Sequence, residues 1–195
     1  NSEILFKLAN CYLTMNKRDK AYQLLGDYLK KEPKGIHALK RLRDMLIDDK
    51  RWEDAIPPQE LLTVYAQKNG IDRFKKEASL LNGIRYETAK VFYDEGRFDK
   101  ALEQIDRILN ADSSFIPAHV LKGNVLYKKG NISSAVKVWE RAYRRYRNIA
   151  LFLQIEELYI KESLPYRIIR LYKRTIDFHP DDKNLRTFLA RLYLK

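Results

Sequence analysis

Apolar residues recur along this chain at the three- and four-residue spacing of amphipathic helices, and the helices come in similar pairs. The pairing is clearest between Asn82 and Asn148, where four marked positions occur twice. They are Ala89, Phe92, Gly96 and Ala101 in the first half and Gly123, Leu126, Gly130 and Ala135 in the second, always 34 residues apart. A constant period of this length predicts a repeated helical hairpin.

The marked positions have physical roles that fit such a hairpin. Small residues at the first and last positions of each set allow two antiparallel helices to approach closely, since a larger side chain would separate them. Gly96 and Gly130 are expected to adopt the left-handed conformation that ends a first helix. The sequence therefore predicts paired helices joined by tight turns.

The same frame divides the whole chain into repeats and predicts an all-α fold, a right-handed solenoid of helical hairpins. The predicted repeats cover residues 2–35, 36–69, 82–115, 116–148 and 149–182, and a half repeat covers residues 183–195. Ala55 and Ala101 are 46 residues apart, which is longer than one period. We therefore expect a lengthened first helix in the third repeat, beginning near residue 73.

Prolines mark two further features of this frame. The second helix of the second repeat is expected to begin near Asp54, a good N-cap, which would place Pro57 and Pro58 in its first turn. In the fifth repeat, the pair Leu164-Pro165 stands where a glycine turn is expected. Because the chain starts without Met and stops within a repeat, we expect it to be part of a longer protein with further repeats after its end.

Composition limits the possible functions. The chain has 38 basic and 26 acidic residues and a net charge of +12, which indicates a solvated basic surface or attraction to an acidic protein, anionic lipid or nucleic acid. Its single cysteine, Cys11, excludes an internal disulfide, and its apolar neighbours predict a buried thiol. No apolar run approaches the roughly 18 residues that span a bilayer.

No pattern in the sequence predicts catalysis, a cofactor or a metal site. His37, His119 and His179 lie in three different repeats, and none has Cys, Asp or Glu at metal-ligand spacing on the same helix face. There is no glycine-rich phosphate loop and no nucleophile elbow. We therefore expect a protein that is not an enzyme.

The repeat frame does predict a partner-binding groove. In stacked hairpins the first helices line a concave surface, and four positions of each repeat point into it. Tyrosines there offer a large contact area with a polar tip, and Lys and Asn supply hydrogen-bond donors, although tyrosines at this spacing can also pack between repeats. The predicted groove residues are Lys40, Asp44, Tyr86, Lys90, Tyr93, Asn124, Tyr127, Lys128 and Arg191.

A second predicted surface is a basic face on the second helices. It comprises Arg141, Arg144 and Arg145, with Arg147 nearby, and Arg167, Arg170 and Arg174, with Lys173. These cations can simply favour helix ends and solvent, or they can contact an anionic membrane surface or phosphates. Aromatic residues do not interleave with them, which argues against a nucleic-acid stacking platform.

These marks resemble the tetratricopeptide repeat family over essentially the whole chain. More narrowly, the order of features is similar to the lipopolysaccharide assembly protein B family. The features are the first helix around Leu8 to Leu13, the segments 35–39, 51–56 and 95–102, and the long third-repeat helix. The prolines at 57, 58 and 165 depart from the usual repeat pattern.

The narrower resemblance implies an adaptor on the cytoplasmic face of the bacterial inner membrane. It implies an anchoring helix before this chain and a metal on a rubredoxin-like domain after it. The implied role is to present the deacetylase LpxC to the membrane protease FtsH and so restrain lipopolysaccharide synthesis. The alternatives are a repeat adaptor for another envelope or secretion client, or an RNA-binding helical repeat that uses the arginine faces.

Overall fold

Eleven α-helices account for the regular structure of residues 2–193, the part of the chain that the computed structural model describes, with the side chains of residues 191 and 192 excepted. The helices are α1 (Ser2–Thr14), α2 (Arg18–Lys31), α3 (Ile36–Asp48), α4 (Trp52–Gln67), α5 (Ile71–Asp94), α6 (Phe98–Ala111), α7 (Ile116–Lys128), α8 (Ile132–Tyr146), α9 (Ile149–Lys161), α10 (Pro165–Phe178) and α11 (Lys183–Tyr193). Those residues contain no β-strand, so the all-α prediction is confirmed. No helix among them is both long and apolar enough to cross a membrane.

The helices form two compact units, Asn1–Ala111 and Asp112–Lys195. In the first unit α1 packs on α2, α3 on α4, and α5 on α6. In the second unit α7 packs on α8 and α9 on α10, and α11 packs on α10. Short connections make each consecutive pair an antiparallel hairpin.

Small residues at the helix crossings allow close packing in both units. In the first unit Ala9, Ala21, Ala55, Ala89 and Ala101 are completely buried. Larger apolar side chains such as Leu25 and Ile105 fill the space around these alanines, as a densely packed interior requires.

The second unit has a larger aromatic core. Trp139, Tyr143 and Phe152 are buried together with Ile155, and Phe152 also contacts the ring of Tyr172 edge to face, at 5.3 Å between centroids. Rings of this size bury more apolar area per residue than the alanine-rich crossings of the first unit.

The turn between the two helices of each hairpin has one geometry but different residues. Gly96 and Gly130 have φ of 74° and 81°, which confirms the predicted left-handed turns. Asn16, Lys50 and Ser163 occupy the same position with φ of 56°, 56° and 52°. At each turn the next residue donates its N–H to a carbonyl five residues back, as in Arg51 N to Leu46 O at 2.8 Å.

In the fifth hairpin this geometry corrects the expectation for Leu164-Pro165. Ser163 forms the left-handed turn, and Leu164 N donates to Tyr159 O at 2.9 Å. Pro165 is then the first residue of α10, where its missing N–H costs no helical hydrogen bond.

Lys50→Gly is expected to raise the free energy of unfolding of the first unit by about 0.5 kcal/mol. The reason is that the Cβ of lysine disfavours the left-handed conformation, and glycine has no Cβ. Urea denaturation would measure the change. Lys50→Ala keeps the Cβ and serves as the control. Equal stability of the glycine and alanine variants would show that Lys50 is not strained.

The start of α4 differs from the prediction. Ala55 N donates to Arg51 O at 3.1 Å, so the helix begins at Trp52, earlier than expected. Pro57 and Pro58 therefore lie inside the helix, beyond its first turn. The carbonyl groups four residues before them lose their helical partners, but Glu53 and Asp54 are exposed and water can satisfy these groups.

Cys11 was expected to be buried, and it is exposed. It lies on α1 in line with Ile4, Leu8 and Met15, which are also exposed. The reason is that α1 is the first helix of its unit and packs mainly on α2, so the side of α1 that carries these residues remains in solvent.

Candidate functional site

First helices carry the predicted groove residues in both units. In the first unit these helices are α3 and α5, and in the second they are α7 and α11. The predicted cluster is divided between the units: Tyr86, Lys90 and Tyr93 belong to the first, and Asn124 and Tyr127 to the second. Each unit is therefore a separate candidate surface.

On α3, Lys40 is exposed and lies at the rim of a cleft bounded by α3, α4 and α5. Asp44 is engaged within the chain, because Arg43 donates to its Oδ1 from both Nε and Nη2, at 2.8 and 2.7 Å. Of these two predicted groove residues, Lys40 is the one whose charged group faces outward without an ion pair among residues 2–193.

On α5, Tyr86 and Tyr93 are half-buried and Lys90 is exposed. Lys90 Nζ lies 5.7 Å from the centroid of the Tyr86 ring and 2.9 Å from Glu87 Oε2. Tyr93 packs on Phe98 with ring centroids 6.2 Å apart. Burial raises the pKa of both tyrosines, which keeps their hydroxyl groups protonated and able to donate.

On the second unit, Asn124 and Tyr127 of α7 face α9 across a pocket of about 70 Å³. The side of α9 that meets them supplies Gln154, Glu157 and Lys161. Lys161 Nζ lies 5.0 Å from the centroid of the Tyr127 ring, and a hydrogen bond to the Tyr127 hydroxyl raises the pKa of Lys161. This surface combines an aromatic ring, an amide and both signs of charge.

The contribution of α9 was missed by sequence reasoning, although a signal exists. Glu157 follows Asn124 by 33 residues and Lys161 follows Tyr127 by 34 residues, so both lie one repeat further on. The shift of one residue between them reflects the drift of the fifth repeat. Of the other predicted residues, Lys128 is exposed at the end of α7. Arg191 lies on α11, and its side chain is outside the described part of the structure.

The basic face of α8 is partly engaged within the protein. Arg144 Nε donates to Glu140 O at 3.3 Å, and its Nη2 lies 3.8 Å from Glu140 Oε2. The guanidinium of Arg145 stacks 5.3 Å from the centroid of the Tyr146 ring. Arg141 is exposed and has no ion pair within residues 2–193.

On the basic face of α10, too, some arginines contact other residues of the protein and others are exposed. The guanidinium of Arg167 lies 5.9 Å from the centroid of the Tyr159 ring, which is itself buried. Arg170 is exposed, and Arg174 is half-buried. Arg147, which follows α8, stacks on Phe178 at 4.2 Å. Several of these arginines thus pack on aromatic rings, a structural role that leaves part of the guanidinium in solvent.

The described residues show no arrangement for metal chemistry. Within 2–193 no group of three or more His, Cys, Asp or Glu side chains lies close enough to hold a metal ion. His119 is half-buried, with Nε2 2.8 Å from Ser113 O. His37 and His179 are exposed.

Comparison with known proteins agrees with this geometry. Sequence models of the tetratricopeptide repeat match residues 3–35 and residues 86–148. No curated protein matches the chain in sequence. Together with the hairpin fold, the two matches show tetratricopeptide repeats in these two segments of the chain. Proteins built from such repeats generally mediate protein–protein interactions.

Solved structures share the fold at low sequence identity. A MamA protein is 16% identical, with a TM-score of 0.53 and 90% of each chain covered. A repeat protein from Parabacteroides merdae is 16% identical, with a TM-score of 0.52, 99% of this chain and 72% of that chain covered. YrrB, a repeat protein with an unusual peptide-binding site, is 14% identical, with a TM-score of 0.51 and coverage of 98% and 92%.

Proposed function

We propose that this chain is a non-catalytic scaffold that binds protein partners through the first helices of its hairpins. The surface between α7 and α9 carries the proposal, because it offers the Tyr127 ring, the Asn124 amide and the Lys161 ammonium within one pocket. A peptide backbone needs hydrogen-bond donors and acceptors next to apolar contact area, and these groups supply both. The peptide site of YrrB, which shares the fold, is consistent with this use.

The proposal predicts that Asn124→Ala combined with Tyr127→Ala weakens partner binding by about tenfold or more, since aromatic anchors dominate interfaces. Peptides selected from a displayed library against the intact chain would serve as ligands, and isothermal titration would give their dissociation constants. Asn131→Ala combined with Tyr166→Ala is the matched control, because both residues are exposed and lie outside the pocket, Asn131 just before α8 and Tyr166 on α10. Equal affinity of the two double variants, with the helical circular dichroism signal intact, would contradict this site.

At a finer level we propose that the partners are a client enzyme and a protease, LpxC and FtsH, at the cytoplasmic face of the bacterial inner membrane. The order of sequence features that resembles the lipopolysaccharide assembly protein B family supports this role. Purified LpxC and the cytoplasmic part of FtsH can each be titrated against the chain. Absence of binding to both would remove this role and leave the peptide-binding proposal to be tested by itself.

Two alternatives remain to be distinguished by experiment. A repeat adaptor for another envelope or secretion client would bind peptides but neither of those two proteins. Exposed Arg141 and Arg170 favour contact with an anionic surface, either lipid or RNA. Binding to an RNA oligomer that falls by orders of magnitude between low and moderate salt would indicate nucleic acid. Binding to vesicles containing phosphatidylserine, without RNA binding, would indicate a membrane.

A further inference from the structure

The first unit contains a cleft of about 390 Å³ that the repeat frame does not explain. Its apolar wall comes from Leu62, Tyr65 and Ala66 of α4. Its other walls are α3 and the first half of α5, which is the part of that helix that precedes the repeat beginning near residue 82. The lengthening of α5 thus creates the cleft, and the cleft lies beside the regular first-helix groove.

Three cations surround this cleft: Lys40 of α3 and Arg73 and Lys76 of α5. All three are exposed, and within residues 2–193 none has a carboxylate at ion-pair distance. Asp72 is their neighbour on α5 and does not line the cleft. The rim is therefore a concentration of uncompensated positive charge above an apolar wall.

Among the residues that line the cleft, the one carboxylate, Glu77, is engaged in a hydrogen-bonded network. Glu77 Oε2 accepts from Gln59 Nε2 at 2.7 Å and from Arg43 Nη1 at 3.3 Å. Arg43 also pairs with Asp44, so this network carries one net negative charge and the three rim cations outweigh it. Gln59 is fully buried and bonds to Arg43 Nη1 at 2.8 Å, which holds the wall of the cleft in place.

We infer that this cleft binds an acidic peptide segment in which a carboxylate stands next to an apolar side chain. The carboxylate would lie among Lys40, Arg73 and Lys76, and the apolar side chain would contact Leu62, Tyr65 and Ala66. A volume of about 390 Å³ accommodates one or two residues of a peptide, and mixed apolar and charged walls favour an amphipathic ligand over a bare anion. The inference rests on the proposed protein-binding function and names the chemistry of one partner.

Fluorescence anisotropy on the full chain tests the inference with a fluorescein-labelled hexapeptide that alternates Glu and Leu. The triple variant Lys40→Gln, Arg73→Gln, Lys76→Gln is expected to bind it about tenfold more weakly than the wild type. The control is Lys17→Gln, Lys31→Gln, Lys34→Gln, which removes the same charge from exposed positions elsewhere in the unit and is expected to bind as the wild type does. Equal weakening in both variants would show attraction by net charge alone and would overturn the cleft.

A single charge reversal gives a second test that does not depend on the triple variant folding. Arg73 lies in the first turn of α5, where a negative charge is favoured by the helix dipole, so Arg73→Glu is expected to fold. It should weaken binding of the Glu-Leu peptide and strengthen binding of a Lys-Leu peptide. Unchanged binding of both peptides would overturn the inference.

Further binding experiments identify the anionic group that the cleft recognises. A peptide with an amidated C-terminus reports whether a side-chain carboxylate suffices, and the expected result is unchanged affinity. If inorganic phosphate, added at the same concentration as the peptide, displaced the peptide, the assignment of a peptide ligand would be overturned. If the cleft variants have no effect while the Asn124 and Tyr127 double variant still weakens its selected peptides, only this inference fails and the proposed function stands.

Discussion

Gly123→Ala is expected to lower the free energy of unfolding of the second unit by about 3 kcal/mol. A Cβ on Gly123 would lie 1.9 Å from Nε1 and 2.0 Å from Cε2 of the Trp139 side chain. Trp139 is buried and donates from Nε1 to Val120 O at 3.1 Å. The ring must therefore move, which breaks this hydrogen bond and disturbs the aromatic core of the unit.

The measurement is urea denaturation followed by tryptophan fluorescence in a Trp52→Phe background, where Trp139 is the single tryptophan because the chain has two Trp residues. Gly83→Ala, measured through Trp52 in a Trp139→Phe background, is the matched control, since Gly83 lies inside α5 of the first unit and its added Cβ meets no atom within 4 Å. That change should be neutral or stabilising by up to about 1 kcal/mol. If Gly123→Ala lost no more stability relative to its background than Gly83→Ala does relative to its own, the contact between α7 and α8 would be refuted.

Arg43→Met is the second change with a large expected effect, a loss of about 3 kcal/mol from the first unit. The buried guanidinium donates to Asp44, Gln59 and Glu77 at once. Its removal leaves the buried Gln59 amide oxygen without its donor and the mostly buried Glu77 carboxylate without a cation. Methionine fills similar space without supplying a donor. The loss should therefore come from polar groups without partners and not from a cavity.

Chemical denaturation in a Trp139→Phe background reports this unit through Trp52. Arg41→Met is the control on the same helix, because Arg41 is exposed and its hydrogen bond to Asn10 Oδ1, at 3.1 Å, lies at the surface. Replacing Glu77 by Leu in the Arg43→Met background should recover part of the stability, since the uncompensated carboxylate is then absent. If the Arg43 and Arg41 variants lost the same amount, the network would not stabilise the fold.

The repeat spacing predicts the fold because the turns and helix crossings that define the fold depend on residues close together in sequence. A glycine at 96 or 130 marks a left-handed turn, and small residues mark close helix crossings, so both can be read from neighbouring positions. Lys50 and Ser163 adopt the same turn, yet neither residue type favours it, and only the hydrogen bonds of the folded hairpin show it. The predicted start of α4 was wrong because the preference for Asp54 as N-cap, about 1 kcal/mol, is weaker than the packing of the hairpin.

The candidate site was less predictable because it depends on contacts between helices. Lys40 follows from its position in the repeat. Arg73 and Lys76 lie on the part of α5 outside the repeat frame, so no periodic argument could assign them to a surface. The hydrogen bonds of Arg43 to Gln59 and Glu77 join three consecutive helices across 16 and 34 residues of sequence, and only the packing of those helices brings the side chains together.

Because different residues occupy the same left-handed turn position, the sequence of such chains can diverge at the turns. A left-handed non-glycine residue costs on the order of 1 kcal/mol, an amount that good packing elsewhere in a hairpin offsets. Substitutions can therefore accumulate at positions 16, 50 and 163 while the path of the backbone is kept. Over evolutionary time the sequence similarity between repeats is therefore lost before their backbone conformation changes. Distant members of such a lineage keep a common fold after their sequences have ceased to resemble one another.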